Sequence, residues 1–474
     1  MIVFYFASAL LLATYIYFSR NKRVIFLLAC LYIGILVALT IFAGMYANQL
    51  WYGYFRADAL ALLFLALLTI LSAAAVAHNF IYSFHRDDPP RHMAIHFSAL
   101  VIFITTMSGV LLSAHVGLMW AFLEATTLAG SALIYFHRNA LSLEATWKYV
   151  FVCSIGIALA FTGILFLSIA SQKTEMLDLS LDALRQSAPA MHPLWLKICF
   201  LFILAGFSVK MGLAPLFNVD IDAKDLAPSP VGALFSSALM NTGFVAIFRF
   251  YESFAQTTIL PWMNKTLMLT GFVSIFFATI YLLKVRSYKR MFAYSSLEHA
   301  GIAVLALSAG GLGYFAAILH LILHALTKSS LFFQLGQVYR TFKSMRVDDV
   351  GGYFKRNPAG GVVLIVGFLA VTGMPPTGLF FSELFAFKAL IVSGYLWLVI
   401  TTFILLAFII GAMSSKFFSL LFGEPVQNPH SRVAIHPLES ATQWLFMLIV
   451  IALGFYMPDF LRNMIHGAVQ YLPN

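Results

Sequence analysis

Residues Ala317–Phe333 read AILHLILHALTKSSLFF, and residues Gly373–Lys388 read GMPPTGLFFSELFAFK. In the first stretch His320, His324 and Lys328 stand at i, i+4 and i+8 of an apolar helix. They therefore share one face and climb it in two turns. The second stretch is an apolar helix interrupted by Pro375, Pro376 and Gly378 and carrying Glu383. An ionisable group in a membrane span is costly unless it faces a polar interior, which makes it a functional candidate by default. Three titratable groups in a column beside a broken helix with a carboxylate read as a proton path.

Composition decides that these are membrane spans. The 474 residues are 61% hydrophobic and 10% charged, with mean hydropathy +0.89. That balance predicts an all-α polytopic membrane protein and excludes a soluble enzyme or a nucleic-acid-binding protein. The net charge of +10 then reads as basic inner loops rather than as a nucleic-acid surface. Cys30, Cys153 and Cys199 have no CxxC or paired spacing and read as ordinary buried thiols. No iron–sulfur, haem or zinc ligand set is visible, so the chain is expected to bind no metal or cofactor of its own. The His320–His324–Lys328 column lacks the third histidine or carboxylate that zinc would want in place of Lys328. The start, MIVFYFASALLLATYIYF, lacks a basic leader and reads as a first span.

Apolar windows predict fourteen spans, near 3–19, 25–46, 58–83, 93–113, 115–136, 146–171, 194–216, 229–250, 264–284, 291–310, 313–340, 361–390, 395–422 and 440–460. The seventh carries Gly212 and Pro215 near its end; the twelfth carries the Pro375–Gly378 break. Interrupted helices at matching places in two halves point to inverted repeats. The expected organisation is flanking spans in 1–90, a first five-helix repeat in 91–250, a second in 264–422, and a last span with its tail in 423–474. With the N-terminus outside, 19 basic residues fall in inner loops and 7 in outer segments, so both termini are expected outside. Trp51, Trp195, Trp262 and Trp397 then lie near outer span ends, where aromatic belts belong.

Glu124, in MWAFLEATTL, and Lys210, in AGFSVKMGLAP, are the in-span charges of the first half. A facing pair keeps both charged in a dry interior, so they are expected to meet. His320, His324, Lys328 and Glu383 form the corresponding set of the second half. Secondary candidates are Glu144 and Lys148, an i,i+4 pair, together with Asn241 in mid-span and Glu298 and His299 near an inner end. Asp220, Asp222, Lys224 and Asp225 read as a solvated inner loop, and the Lys284–Arg290 cluster as topology and anionic-lipid contact.

On WAFLEATTL, HRNALSLEATWKYV, YSSLEHAGI and LHLILHALTKSSLFF, the chain resembles the antiporter-like membrane subunits of respiratory complex I, Mrp-type cation/proton antiporters and membrane-bound hydrogenases. Within them it is most similar to the F subunit of the hydrogenase-4 and formate hydrogenlyase group. The resemblance covers roughly residues 60–420. It implies ten core helices in two inverted repeats. It also implies Glu124–Lys210 as the ion pair of the first half-channel, His320, His324 and Lys328 as the central relay, and Glu383 as the terminal carboxylate. Proton movement would be driven by a peripheral redox arm whose subunits carry Fe–S clusters and Ni–Fe or flavin. The chain departs from the family after Leu216, where relatives continue His-Thr-Trp-Leu-Pro-Asp-Ala-His and this sequence has Phe217-Asn218-Val219-Asp220-Ile221-Asp222-Ala223-Lys224. Many relatives also carry a Lys or His in span eight, where this chain offers Met240-Asn241.

The expected function is therefore proton translocation by a non-redox, antiporter-like subunit of a multisubunit oxidoreductase in a prokaryotic inner membrane. Its expected partners are further membrane subunits, the redox arm and lipids. The alternatives are an Mrp-type antiporter subunit moving Na+ or K+ against protons without a redox partner, and a non-conducting structural or coupling module.

Overall fold

The computed structural model describes residues 1–171, 178–424 and 435–473. Lys173 and Arg432, both counted in the charge asymmetry, lie outside the described residues. The helices are α1 (Ile2–Phe18), α2 (Lys22–Met45), α3 (Ala59–His85), α4 (Pro90–Leu112), α5 (Val116–Ile134), α6 (Ala140–Ala170), α7 (Leu181–Ser187), α8 (Pro193–Met211), α9 (Asn218–Leu226) and α10 (Ser229–Leu234). They continue as α11 (Met240–Phe254), α12 (Leu260–Lys284), α13 (Tyr288–Ala309), α14 (Leu312–Phe342), α15 (Tyr353–Arg356), α16 (Pro358–Val371), α17 (Gly378–Val392), α18 (Leu396–Phe422), α19 (Ala441–Phe455) and α20 (Asp459–Ala468). A two-residue hairpin, Leu50–Trp51 against Phe55–Arg56, is the one sheet among the described residues.

Local chemistry accounts for many helix starts. Asp58, Asn139, Ser287 and Asn357 each accept a backbone N–H three residues on, at the starts of α3, α6, α13 and α16. Eleven helices of the described residues are long and apolar enough to cross a membrane, α10 and α11 counting as one. The other three expected spans correspond to α1, which is 17 residues long, α13, which carries Lys289, Arg290 and Glu298, and the split pair α16/α17.

Burial sorts the helices into centre and rim. The most apolar window of Ser229–Phe254 is wholly buried and that of α14 is 94% buried, whereas those of α2 and the Pro437–Phe455 segment are 28% buried. A helix with polar groups on several sides cannot face lipid, so the ones that carry the charges occupy the middle. Rows such as Ile400, Phe403, Ile404 and Phe408 of α18 point outward. Between α6 and α8 the backbones nearly touch, and a Cβ on Gly206 would lie 2.5 Å from the Gly156 carbonyl oxygen. Small residues permit that approach, which replaces the hydrophobic driving force missing between helices in lipid.

Two segments leave helical geometry inside the bundle. α8 stops at Gly212, whose φ of +75° only glycine adopts freely, and the chain resumes as α9. α16 stops before Gly373, at φ +59°, and resumes as α17. In each break a proline follows three residues after the glycine, in a cis peptide: Ala214–Pro215 and Pro375–Pro376. Gly378 is not part of the second break but the first residue of α17, where a Cβ would meet Leu323 and the Val450 carbonyl.

Candidate proton pathway

The first segment of the path is built by α5, α6 and α8. Lys210 is 1% exposed and sits two residues before the α8 break at Gly212. Its Nζ donates to Thr127 Oγ1 at 2.7 Å and stands 3.5 Å from the Tyr149 hydroxyl. Thr127 Oγ1 in turn donates to Glu124 Oε2 at 3.2 Å, and Ser154 Oγ donates to Glu124 Oε1 at 2.9 Å. The expected direct pair is therefore a bridged one, Lys210–Thr127–Glu124. Thr127 lies one turn beyond Glu124 on the same helical face, and its short side chain reaches the ammonium first.

The second segment corrects a sequence expectation. Asp220 and Lys224 are not a solvated loop: they lie on α9, 3% and 1% exposed, and pair directly with each other. The i,i+4 spacing brings them together, and the fold of α9 back into the bundle desolvates them. Nor is the Lys284–Arg290 cluster spent on lipid alone. Lys289 is buried and donates to the Ala227 carbonyl at 2.6 Å, while Arg290 pairs with Asp222 and, at 3.0 Å, with Asp225. These contacts tie α9 to α13.

The two halves meet where α10 and α11 join through a π-helical segment, Phe235–Leu239. Such segments add a residue to the turn and re-aim side chains. Here Ser237 accepts from Ser329 Oγ of α14 at 3.0 Å. Ser236 and both amide atoms of Asn241 are buried with no protein partner. Buried polar atoms so placed are hydrogen-bonding sites for water.

The third segment belongs to α13, α14 and α17. Lys328 is fully buried and donates to the Phe292 carbonyl at 2.9 Å. Glu298 Oε2 and both ring nitrogens of His324 are buried without a protein partner. Beyond them His299 Nδ1 faces His320 Nε2 at 3.1 Å, and Glu383 Oε1 lies 3.8 Å from His299 Nδ1. Ser382 Oγ donates to the Leu379 carbonyl (2.8 Å), so its lone pair accepts from His320 Nδ1–H at 3.0 Å. His299 Nε2–H donates to the Val371 carbonyl at 3.2 Å. These partners assign both ring protons away from the contact, leaving two lone pairs face to face. One proton shared between the nitrogens, with the Glu383 carboxylate beside them, turns that contact into a charge-assisted bond.

A polar column continues along α14 toward its C-terminal end. Gln334 Nε2 donates to Gln337 Oε1 (2.8 Å) and to the Tyr353 hydroxyl (2.7 Å), and Gln337 Nε2 donates to Ser440 Oγ (3.2 Å). Asn357 Nδ2 donates to Gln337 Oε1 at 2.9 Å, and Arg340 closes the column by pairing with Glu439 at 2.6 Å. Burial pushes the Tyr353 phenol well above its ordinary range, so the hydroxyl stays neutral.

Of the sequence candidates, Glu124, Lys210, Asn241, Glu298, His299, His320, His324, Lys328 and Glu383 lie along this line. Glu144 and Lys148 do not: they form an exposed surface pair 2.5 Å apart. Thr127, Ser154, Asp220, Lys224, Ser382, Gln334 and Gln337 were missed as site residues. Only Asp220–Lys224 carried a signal, an i,i+4 charge pair next to a helix break.

A multi-pass membrane bundle with two interrupted helices and a buried line of lysines, histidines and carboxylates defines an antiporter-like membrane subunit of the complex I and membrane-bound hydrogenase type. The chain belongs to the NADH:quinone oxidoreductase/Mrp antiporter transmembrane family, whose pattern matches residues 113–409. It is 32% identical to the hydrogenase-4 component F homolog of Methylacidiphilum infernorum over 415 residues, covering 85% of this chain and 86% of that one. It is 26% identical to NADH-quinone oxidoreductase subunit N of Chlorobium chlorochromatii over 442 residues, 88% of this chain and 84% of that one. In fold it matches a chain of the membrane-bound sulfane sulfur reductase, an archaeal respiratory membrane complex, with TM-score 0.86 at 21% identity over 99% of this chain and 97% of that one.

Proposed function

We propose that this chain moves protons across a prokaryotic cytoplasmic membrane as one of several antiporter-like subunits driven by a peripheral redox arm. The observation that carries the reading is the set of three buried lysines, Lys210, Lys224 and Lys328, at 1%, 1% and 0% exposure in one polar line. An ammonium in such a place is retained against a large desolvation cost, and protonation chemistry supplies a use for it.

Protons reach Lys328 through the Gln337–Gln334 column and pass His324, His299 and His320 to Glu383. Lys210, with its Thr127–Glu124 bridge, controls the first half. Moving the carboxylate away from that bridge removes the countercharge from Lys210, whose proton then passes toward Asp220–Lys224 and Asn241. At an effective dielectric near 20, a charge about 5 Å away across the Thr127 bridge is worth roughly 3 kcal/mol, which favours the transfer.

Two inverted repeats, 91–250 and 264–422, are supported by the matching breaks, each a left-handed glycine with a proline three residues on. The basic-residue asymmetry supports both termini outside. Fe–S clusters and Ni–Fe or flavin belong to the redox arm.

Proteoliposomes of the complex, energised by its electron donor and read with a pH-sensitive dye, test the reading. Lys328→Ala is expected to abolish acidification or alkalinisation while the complex still assembles; wild-type flux in that variant overturns it. Iron with nickel in the purified complex identifies a hydrogenase-type arm, and iron with flavin but no nickel a complex I type. Mrp-type exchange is the second reading, favoured by the family shared with those antiporters, and predicts sodium- or potassium-coupled proton movement without any electron donor.

A further inference from the structure

We propose that His299, His320 and Glu383 form a zinc-class divalent cation site at the Glu383 end of the line, at which Zn2+ competes with the transported proton. The three residues come from three helices, α13, α14 and α17, and their ligand atoms all lie within 4.8 Å of one another. Zinc held by two imidazoles and a carboxylate at about 2.0–2.1 Å in tetrahedral geometry requires ligand–ligand edges of roughly 3.3 Å. The observed edges from His299 Nδ1 are 3.1 Å to His320 Nε2 and 3.8 Å to Glu383 Oε1, and the third, between His320 and Glu383, is at most 4.8 Å, so closing the cage requires the Glu383 carboxylate to swing toward His320.

The protonation pattern matches as well. Ligation needs a lone pair on each ligating nitrogen and a hydrogen-bond acceptor behind each ring, and outer partners of that kind orient metal-bound histidines. Val371 O and Ser382 Oγ already hold the opposite ring protons of His299 and His320, aiming two lone pairs at one point. Zn2+ resolves their repulsion in the way a shared proton does. His324, whose nitrogens have no protein partner, has its ring 5.0 Å from that of His299 and supplies a fourth ligand by rotating. Calcium and magnesium are disfavoured because they take six or more oxygens, whereas imidazole with carboxylate suits zinc. The other ionisable groups facing the cage are Lys328, Glu298 and, on the His324 side, Lys224. Glu383, with 11% of its side chain exposed, is the one ligand open to an arriving ion.

Along α14 alone no zinc set is visible, because Lys328 takes the third place of the His320–His324 column. Tertiary structure substitutes His299 and Glu383 from neighbouring helices. Binding requires only the cage; the competition with protons rests on the function proposed above.

The test is a Zn2+ titration of the full chain, purified in mild detergent with the partners it retains, followed by X-ray absorption at the zinc edge. One Zn2+ is expected, with imidazole nitrogens and an oxygen at about 2.0–2.1 Å. His320→Ala and Glu383→Gln should each weaken binding at least tenfold, and Ser382→Ala, which keeps every ligand, by about 10–100-fold. His85→Ala, which removes a surface histidine 3.7 Å from Glu439, should change nothing. A sulfur-rich shell, or wild-type affinity in both His320→Ala and Ser382→Ala, overturns the site. Proton flux measured in parallel separates the two proposals. Zinc seated in the cage while flux continues unchanged overturns the competition and the assigned path, whereas flux that needs Lys328 in a protein that binds no zinc overturns the cage alone.

Discussion

The Cα of Gly373 lies directly against the Glu383 carboxylate, so that a Cβ there would overlap Oε2. Gly212 stands in the same relation to Asp220, whose Oδ2 would be 2.5 Å from a Cβ. In both broken helices a left-handed glycine makes room for the acid that follows it, ten residues on in one case and eight in the other. Gly373→Ala is expected to displace Glu383, costing about 1–2 kcal/mol in backbone conformation alone, and to cut proton flux. Flux assays on the assembled complex check this, and normal flux would refute the placement of Glu383 in the path.

Thr127 is the only protein link between Lys210 and Glu124 among the described residues. Thr127→Val keeps the shape and removes the oxygen, leaving a buried ammonium short of an acceptor at a cost of about 1–3 kcal/mol. Proton flux is expected to fall roughly tenfold or more. Thr127→Ser should retain most of it.

Asp220 and Lys224 make a clear double-mutant cycle. Asp220→Leu leaves Lys224 buried and unpaired, and should destabilise the detergent-solubilised chain by about 3–5 kcal/mol. Adding Lys224→Met should restore most of that loss. Thermal unfolding of Asp220→Leu, Lys224→Met and the double variant measures the coupling, and additive losses would show that the pair does not interact.

Gln334→Leu interrupts the column along α14 without touching a charged group. Flux is expected to drop while Lys328 remains in place and the complex assembles. An unchanged rate would move the inlet elsewhere.

The Tyr353 phenol gives a pH prediction with a defined sign. Its proton is held more tightly folded than unfolded, because burial raises it above the ordinary value of 10.0. That contribution is fully present below about pH 10 and is lost as pH rises through the folded-state value. Melting temperature should therefore decline in alkali, and Tyr353→Phe should make the decline shallower.

Much of this protein was readable from local pattern. Apolar windows located the eleven helices of the described residues that are long and apolar enough to cross a membrane, because desolvation of backbone and side chain acts on every stretch independently of its neighbours. Glu124, Lys210, His320, His324, Lys328 and Glu383 stood out for the same reason, as charges whose cost each helix bears alone. Glycine and proline announced both breaks. What the sequence did not contain was which groups meet. Thr127 between Lys210 and Glu124, His299 against His320 from 21 positions away, and the burial of Asp220 and Lys224 all depend on how helices pack. A side chain's partners are set by interhelical distance and rotation, which the 3.6-residue period within one helix does not encode. The spans and their charges were thus determined by sequence alone, and the connection of those charges into one line was decided by tertiary structure.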